Sequence, residues 1–256
     1  MLPEVTAVRY VTPLKEGGSL PGIVEADDDG TYVLKFRGAG QGLKVLVAEV
    51  VVAGIARVLE VPVPDLAVVD LDVRIARYEA DEEVQDLLTA SIGTNLGVDY
   101  LPGSLGYDGS RPPDADLAAR IVWLDALTAN VDRTWSNPNL LVWHGRRWAI
   151  DHGAALYFHH SWPSRAPSPE RFAAQAFDAS RHVLRDVAGD VSRVHADLST
   201  RLSDEVLAGV VDDVPDGWLE TTAELPDLAA VRRAYGLMLR ARLGSPDAWL
   251  PTGGPS

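Results

Sequence analysis

The stretch NVDRTWSNPNLLVWHGRRWAIDHGAALY, residues 130–157, decides the fold of this chain. It opens with an acid, Asp132, which is followed closely by two amides, Asn137 and Asn139. An apolar run, a glycine-containing turn and a second apolar run come next. The stretch then reaches a second acid, Asp151, two residues before a glycine. Acids and amides placed at both ends of two short apolar runs indicate a site built on a small piece of sheet.

The two apolar runs predict a β-hairpin. Residues 140–142 and 148–150 are apolar and prone to form strands, and they flank a turn at residues 144–145. Such triplets around a turn that contains glycine fold most simply as strand, turn and strand. The hairpin would carry Asp132 into its start and Asp151 out of its end. Both acids should therefore lie on loops at the same end of a rigid ribbon.

Phosphoryl transfer needs this arrangement of acids. One carboxylate handles the attacking hydroxyl, while an amide and a second carboxylate hold Mg²⁺. Asp132 is the candidate for the first role and Asp151 for the second, with Asn137 and Asn139 as the candidate amides. The alternative is that Asp132 and Asp151 are two ordinary loop acids at the ends of a hairpin.

This stretch resembles the catalytic and metal-binding loops of the protein-kinase-like superfamily, and is closest to its HipA-like and phosphatidylinositol 3- and 4-kinase-like branches. In those branches the catalytic loop tends to read Asp-Arg-His-x-x-Asn and the metal loop Ile-Asp-x-Gly. Asp132, Arg133 and Asn137 fit the first pattern, and residues 150–153 fit the second. Asp132 would accept or orient the proton of the attacking hydroxyl, and Asp151 would bind Mg²⁺. Arg133 is a second catalytic candidate, which either stabilises developing charge or pairs with an acid.

Two positions depart from the family pattern, and the choice of amide is open. Thr134 stands where the pattern has histidine, and His152 stands where the metal loop usually has phenylalanine. Counting five residues from Asp132 selects Asn137, whereas the amide directly before the apolar triplet is Asn139. Both counts hold only if the loop is two residues longer than usual. Both asparagines are therefore candidate metal ligands, and the motif count places Asn137 first.

The first sixty residues predict a small antiparallel meander followed by a helix. Strands are predicted over residues 5–11, through 22–24 and over 31–36, with an aspartate-glycine turn signal at 27–30. A mainly helical apolar pattern predicts a helix over residues 43–59, and two prolines shortly after it end that helix.

Three features of this half match the nucleotide side of a kinase-like lobe. Gly17, Gly18 and Ser19 lie between the first two predicted strands, where the family places its phosphate-covering loop; a plain hairpin turn is the alternative. Lys35 lies in the third strand, where the family keeps a lysine that touches the nucleotide phosphates. Glu49 on the following helix is the candidate partner that orients Lys35, and an exposed helix glutamate is the alternative.

A glycine-rich loop at residues 37–42 opens directly into this helix. A helix N-terminus offers free N–H groups and a favourable dipole to an anion, so Gly40 is a candidate phosphate contact. The spacing G-x-G-x-G differs from the Rossmann G-x-G-x-x-G, and no Gly-Lys-Ser/Thr of a P-loop follows. Further along, a strand ending in Pro-Gly resembles the hinge between kinase lobes, where Asp99, Tyr100 and Leu101 are the candidate adenine contacts.

These elements and the resemblance predict an α+β fold with two lobes, as in protein kinases. The first lobe, residues 1–102, would be a small antiparallel sheet plus one helix, with a fourth strand over 61–71 and a candidate fifth at 74–78. The second lobe, residues 103–256, would be mainly helical and would carry the catalytic loops. Its strongest helix, 228–243, is basic and amphipathic, and we expect it to face the core.

Composition restricts the classes of function. The net charge of −14 argues against non-specific binding to nucleic acid, because contacts with phosphates need a basic surface. The absence of cysteine excludes disulfides, thiolate metal sites and cysteine nucleophiles. No apolar run is long enough to predict a membrane span, and the N-terminus lacks a secretory signal pattern. We expect a cytoplasmic protein without nucleic-acid partners or stable membrane insertion.

The resulting hypothesis is an ATP- and Mg²⁺-dependent phosphotransferase that resembles HipA-like kinases. Its acceptor would be a hydroxyl group, on a protein serine or threonine or on a small molecule. Two alternatives stay open. One is a nucleotide-binding pseudokinase module that regulates a partner, and the other is a kinase for sugars, aminoglycosides or lipid head groups.

Overall fold

The structure is a computed structural model that describes residues 1–14, 20–40, 42–77 and 80–251. Its strands are β1 (Glu4–Pro13), β2 (Gly22–Ala26), β3 (Thr31–Lys35), β4 (Leu66–Leu71), β5 (Gly93–Asp99), β6 (Leu105–Gly106), β7 (Leu140–Trp143) and β8 (Arg146–Ala149). Its helices are α1 (Leu43–Val58), α2 (Val73–Ala76), α3 (Glu82–Ala90), α4 (Ala115–Thr128), α5 (Pro169–Ala173), α6 (Arg185–Ala188), α7 (Ser192–Arg201), α8 (Asp204–Asp212), α9 (Leu228–Leu243) and α10 (Pro246–Trp249). Short 3₁₀ turns lie at Tyr157–Ser161, Ala179–Arg181 and Asp216–Trp218.

In the described part of the chain, the first strands close into a barrel in the order β1-β2-β3-β5-β4. Neighbouring strands are antiparallel, as predicted, except at the closure, where β1 and β4 run parallel from Glu4 opposite Val68 to Thr6 opposite Asp70. Apolar side chains fill the interior, among them Val24, Leu34, Val69 and Leu88. The parallel closure was not predicted, because it joins the first strand to one that follows it by more than 50 residues.

Helix α1 lies between the barrel and the C-terminal helices. Ten of its residues are buried, and a helix that is apolar around most of its circumference belongs in a protein interior. The helix contacts α4 and α8. A Cβ atom on Gly54 would lie 2.7 Å from Val210 Cγ1, so glycine is what allows α1 and α8 to approach closely. Glu49 is the only acid in the sequence of α1.

The predicted hairpin is confirmed as β7 and β8, which pair from Leu140 opposite Ala149 to Trp143 opposite Arg146. Its turn residues, His144 and Gly145, both have positive φ, at 46° and 75°. Positive φ at both central residues is what a type I′ hairpin turn requires. Helix α4 has Asp114 as its N-cap, which accepts the Leu117 N–H at 2.8 Å, and the helix leads the chain to Asp132.

Two strand predictions need correction. The candidate strand at residues 74–78 was wrong, because its described part belongs to the short helix α2, whose N-cap Asp72 accepts the Arg74 N–H at 2.7 Å. The fourth strand begins only at Leu66, because Pro62 and Pro64 before it cannot donate to a sheet ladder. The boundary between lobes after residue 102 stays a prediction, and the larger apolar core runs from α1 and β4 into the C-terminal helices.

The strong helix predicted at 228–243 is confirmed as α9, and it faces the core as expected. No helix in the described ranges combines the length and the apolarity needed to cross a membrane.

A buried arginine joins α9 to two other elements. Arg242 donates to Ala126 O at 2.8 Å, Phe172 O at 2.6 Å and Gln175 O at 2.8 Å. Its guanidinium also lies 4.6 Å from the centre of the Phe172 ring and 5.3 Å from that of Trp249. Burial lowers the pKa of Arg242 to about 10, so the group stays charged at neutral pH. Arg242 thereby fastens α5 and the end of α4 to α9.

We expect Arg242→Met to lower the free energy of unfolding by about 3 kcal/mol, because buried carbonyl oxygens would lose a charged donor. Urea unfolding followed by circular dichroism measures the change. Arg233→Met, at an exposed position of the same helix, is the matched control and should stay within about 0.5 kcal/mol of wild type. Unfolding of Arg242→Met at the wild-type urea concentration would contradict this account.

Candidate active site

A cavity of 510 Å³ lies between the barrel and the β7–β8 hairpin. Its polar wall is formed by Lys35, Glu49, Asp99, Tyr100, Asp151 and His152. Its apolar wall includes Val33, Val63, Leu66, Val98, Leu101 and Leu141. A mostly apolar cleft with a few convergent polar groups is the usual form of a small-molecule site. Its walls bring together residues that are more than 100 positions apart in the sequence.

Lys35 connects two carboxylates at one end of this cavity. Its Nζ forms an ion pair with Glu49 Oε1 and lies 2.8 Å from Asp151 Oδ1. The predicted contact between Lys35 and Glu49 is therefore present, and the contact with Asp151 was not foreseen. Strand β3, helix α1 and the loop after β8 meet at this one ammonium group.

Burial and charge oppose each other in this group of three residues. Burial disfavours the charged form of Lys35, but Glu49 and Asp151 together raise the pKa of Lys35 above its usual value. Burial raises the pKa of Glu49, against the attraction of Lys35. The charge of Lys35 lowers the pKa of Asp151 to about 2. Asp151 is therefore ionised at neutral pH, and its half-exposed side chain has an oxygen left for a ligand.

The loop that carries Asp151 is pressed against α1. A Cβ atom on Gly153 would lie 2.5 Å from Val45 Cγ1, so this approach depends on glycine. The backbone N–H of His152 donates to the Glu49 carboxylate. Asp151 itself has a φ of 55°, a left-handed conformation that costs a non-glycine residue about 1 kcal/mol or more. Such a conformation persists where the surrounding contacts impose it, and it is often found at functional sites.

The catalytic-loop residues form a second group beside this one. Asp132 N–H donates to Asn130 Oδ1 at 3.1 Å. Asn137 Nδ2 donates to Asp132 Oδ2 at 2.8 Å, so this amide orients the carboxylate of Asp132. The Nδ2 of Asn139 donates to Asp132 O at 3.5 Å, and the backbone carbonyl of Asn139 accepts the Ile150 N–H at 3.0 Å. Asn139 is thus the amide that lies next to the metal loop.

Arg133 is buried, with 1% of its surface exposed. Its Nε donates to Asp125 Oδ2 at 2.6 Å, and its Nη1 donates to the carbonyls of Asn139 and, at 3.1 Å, Ile150. Of the two roles that the sequence left open, the geometry matches pairing with an acid. The expectation that Arg133 stabilises developing charge is corrected, because a buried guanidinium with these partners cannot contact a reacting phosphate. Arg133 is a positioning residue that ties both ends of the hairpin to α4.

Asp125 and His182 complete this buried network and were missed from the sequence. Asp125 accepts from Arg133, from His182 Nε2 at 2.9 Å and from Asn130 Nδ2 at 3.1 Å. Although burial disfavours its charge, Arg133 and His182 hold the pKa of Asp125 well below its usual range. An acid on the apolar face of a helix was the available signal for Asp125. His182 carries no comparable signal, since it reaches the network from a distant loop.

The three predicted hinge residues, Asp99, Tyr100 and Leu101, all line the cavity. The Asp99 N–H donates to Asp65 O at 2.8 Å, and the Tyr100 N–H donates to Thr31 O at 2.9 Å. Of these three residues, Leu101 is the one whose N–H has no backbone acceptor within the described ranges.

Two predicted phosphate-side elements stay predictions. Gly17, Gly18 and Ser19 lie outside the described residues. Gly40 lies in the turn between β3 and α1, away from the cavity wall, with nothing within 4 Å of where its Cβ would be.

A metal ion in this cavity would need ligands other than a cluster of histidine, cysteine or acidic side chains. Nowhere in the described chain are three histidine, cysteine or acidic side chains gathered around a metal-sized space. A cation here would combine Asp151 with an amide oxygen and with oxygens of the bound substrate. This is the usual form of Mg²⁺ sites at nucleotides.

The fold is similar to that of solved kinases. The crystal structure of the proinflammatory kinase CtkA of Helicobacter pylori matches 97% of this chain with 96% of that one, at a TM-score of 0.58 and 11% sequence identity. This match shows a shared fold. Two structures of the Golgi casein kinase give TM-scores of 0.48 and, with Mn/ADP bound, 0.46, both at 12% identity. They match 97% and 95% of this chain with 75% and 73% of theirs, at scores too low to support an argument.

The sequence of the chain shows its family and, with it, that the protein is a kinase. The sequence pattern of the HipA-like kinase family matches residues 7–244, which is nearly the whole chain. This chain belongs to the HipA-like kinase family. The predicted α+β, kinase-like fold is thereby confirmed, and so is the assignment to the kinases. A search of curated proteins found no match.

His152 stands where the metal loop usually has phenylalanine, and it makes the free energy of unfolding depend on pH. It is buried, and its Nδ1 accepts from Arg133 Nη2 at 3.3 Å. Burial, followed by the nearby charge of Arg133, lowers the pKa of His152 to about 3. A histidine whose pKa is lower in the folded state stabilises the fold fully above its unfolded pKa of about 6.5. That stability is lost as the pH falls from there toward the folded value.

We expect the free energy of unfolding to fall more steeply in wild type than in His152→Phe between about pH 6.5 and pH 4. Phenylalanine keeps an aromatic ring in the site but cannot take up a proton. The two slopes should differ by up to ~1.4 kcal/mol per pH unit. Urea unfolding at a series of pH values measures both slopes. If the free energy of unfolding changed equally with pH in both proteins, His152 would not be the group that resists protonation.

Proposed function

We propose that this protein transfers the γ-phosphate of ATP to a hydroxyl acceptor in a Mg²⁺-dependent reaction. The observation that carries the proposal is the contact of Lys35 with both Glu49 and Asp151 at the wall of one cavity. A lysine in this setting is held as a fixed cation beside the place where phosphates would lie. Phosphoryl transfer depends almost entirely on such positioning and on electrostatic stabilisation.

The hinge and the barrel would hold the nucleotide. The apolar wall of the cavity suits an adenine ring, and the open N–H of Leu101 would donate to it. Lys35 would contact the phosphates, with Glu49 holding the lysine side chain in place. The loop with Gly17, Gly18 and Ser19 would cover the phosphates, with Gly40 on the same side. In this proposal the nucleotide lobe comprises residues 1–102 and the catalytic lobe residues 103–256.

Asp151 and Asn139 would hold the metal ion. Both supply hard oxygen ligands, which Mg²⁺ prefers. Asn139 is the better-placed amide, since its Nδ2 donates to Asp132 O and its backbone pairs with Ile150, directly before Asp151. When bound, Mg²⁺ would neutralise and orient the phosphate oxygens. Asn137 would instead keep its contact with the Asp132 carboxylate.

Asp132 would act on the acceptor. A positioned carboxylate that receives or orients the hydroxyl proton raises the rate by on the order of 10²–10⁴. Arg133 would support this step indirectly, through the carbonyls of Asn139 and Ile150. The acceptor is proposed to be a small-molecule hydroxyl or a protein serine or threonine. A location in the cytoplasm is part of the same proposal, which the cysteine-free composition favours.

We expect Asp151→Asn and Asn139→Ala to raise the Mg²⁺ concentration needed for tight ATP binding, because each removes a metal ligand. Asp151→Asn should also lower phosphate transfer from γ-labelled ATP by roughly 10²-fold or more. Titration of a fluorescent ATP analogue at several Mg²⁺ concentrations measures the first effect.

The controls for this experiment are Asn137→Ala and Asp70→Asn. Asn137→Ala should leave the Mg²⁺ requirement unchanged, and the exposed Asp70 on β4 lies outside the site. A Mg²⁺ requirement that rises in Asn137→Ala and not in Asn139→Ala would reverse the assignment of the two asparagines. Undiminished transfer by Asp151→Asn would remove Asp151 from the site.

We expect Asp132→Ala to leave ATP binding within about twofold of wild type while lowering phosphate transfer by on the order of 10²–10⁴. The substitution removes the group that receives the acceptor proton and leaves the cavity wall intact. Transfer is followed over a panel of alcohols, peptides and the protein itself. Loss of ATP binding in Asp132→Ala would instead make Asp132 a structural residue or a metal ligand.

A further inference from the structure

A second cavity of 420 Å³ lies beyond the metal loop, between the Tyr157–Ser161 turn, helix α5 and helix α9. Aromatic side chains form much of its wall, among them Tyr157, Phe158, Trp162 and Phe172. Its volume is within the range of small-molecule sites. None of the residues proposed above to act on ATP lines this cavity.

The charge of this cavity is opposite to that of the chain. The protein has 37 acidic and 23 basic residues, yet no carboxylate lines this wall. Arg165 and Arg171 line it, and within the described part of the chain neither has a carboxylate within 4 Å. Other arginines on the surface have a carboxylate partner, as Arg201 has in Glu60 at 2.9 Å. Two unpaired guanidinium groups at one cavity are the donors that bind a phosphate or a carboxylate.

The wall behind these arginines is held in place. Arg242 donates to Phe172 O, in α5, and to Gln175 O, two residues after the end of that helix. Its charge has no carboxylate partner among the described residues and lies 4.6 Å from the Phe172 ring. The cavity is therefore fixed from behind by a further positive charge. A preorganised wall lowers the ordering cost of binding.

The cavity wall is connected to the proposed site of phosphate transfer. Tyr157 follows Asp151 by six residues, which span at most ~20 Å of chain. The N–H of Leu156 donates to Thr128 O at 2.9 Å, and Thr128 is four residues before Asp132. The turn that forms part of the cavity wall is thus linked by the chain to the loop of Asp151 and by this hydrogen bond to the segment before Asp132.

We propose that this cavity binds an anionic group of the phosphate acceptor. The acceptor would be a compound with an apolar or aromatic body and a phosphate or carboxylate at some distance from its reacting hydroxyl. Arg165 and Arg171 would contact the anion, and the aromatic wall would contact the body. This inference rests on the proposed function for the identity of its ligand as the acceptor.

The test is calorimetric titration of the full chain with phenyl phosphate and with benzoate, in the presence of saturating Mg²⁺ and a non-hydrolysable ATP analogue. We expect binding of one or both anions, which would identify the anionic group. The double variant Arg165→Gln/Arg171→Gln should weaken this binding by at least about tenfold. Arg165→Lys/Arg171→Lys keeps the charge and should retain part of it.

Two controls complete the titration. Benzyl alcohol has the same ring without a charge and should not bind measurably. Arg233→Gln removes a different exposed arginine, on the groove between α8 and α9, and should not change the affinity. An affinity unchanged in the double glutamine variant, or equal binding of benzyl alcohol, would overturn the proposal.

Repeating the titration with Lys35→Met separates this inference from the proposed function. Phenyl phosphate binding that persists in Lys35→Met would show that the anion binds outside the proposed ATP site. Phenyl phosphate binding to a wild-type protein that transfers no phosphate would uphold the anion site and remove the proposed reaction. If neither anion binds a protein that does transfer phosphate, the anion site is overturned and the proposed reaction stands.

Discussion

The ion pair between Lys35 and Glu49 is the interaction on which the rest of the site depends. Glu49 is 2% exposed, in a helix whose other buried residues are apolar. Removing one partner of a buried ion pair costs about 3–5 kcal/mol, so a Glu49 without Lys35 would be a large defect in the core. Strand β3 must therefore lie where its lysine reaches α1. That requirement sets the position of the barrel on the helix and, with it, the opening of the 510 Å³ cavity.

The loop that carries Asp151 is held against α1 and α4 by contacts that involve the backbone as well as side chains. The N–H of His152 and the close approach at Gly153 bind the metal loop to α1. On the opposite side, Arg133 binds the same loop to α4 through the carbonyl of Ile150 and through Asp125. The segment that carries Asp151 is thus held between two helices, and its left-handed backbone is what those contacts impose.

The local patterns in the sequence were sufficient for the hairpin, for α1 and α9, and for the contact of Lys35 with Glu49, because each follows from periodicity or from a family motif. The orientation of Arg133 was not predictable, because an arginine beside an acid in a loop can face either the solvent or the core. Asp125 and His182 come together only through the packing of α4 against a distant loop. The helix at Val73–Ala76 was missed because a polar N-cap at Asp72 outweighs the weak strand tendency of the residues after it.

The parallel pairing of β1 with β4 leaves the barrel without a free edge in the described chain. An open sheet could be extended by a strand from another polypeptide, but a closed one offers no unpaired row of N–H and C=O groups to such a strand. A protein that binds the barrel must then contact its side chains or its loops. By the same logic, a truncation that removes β1 would uncover the edges of both β2 and β4, and self-association would be the expected result.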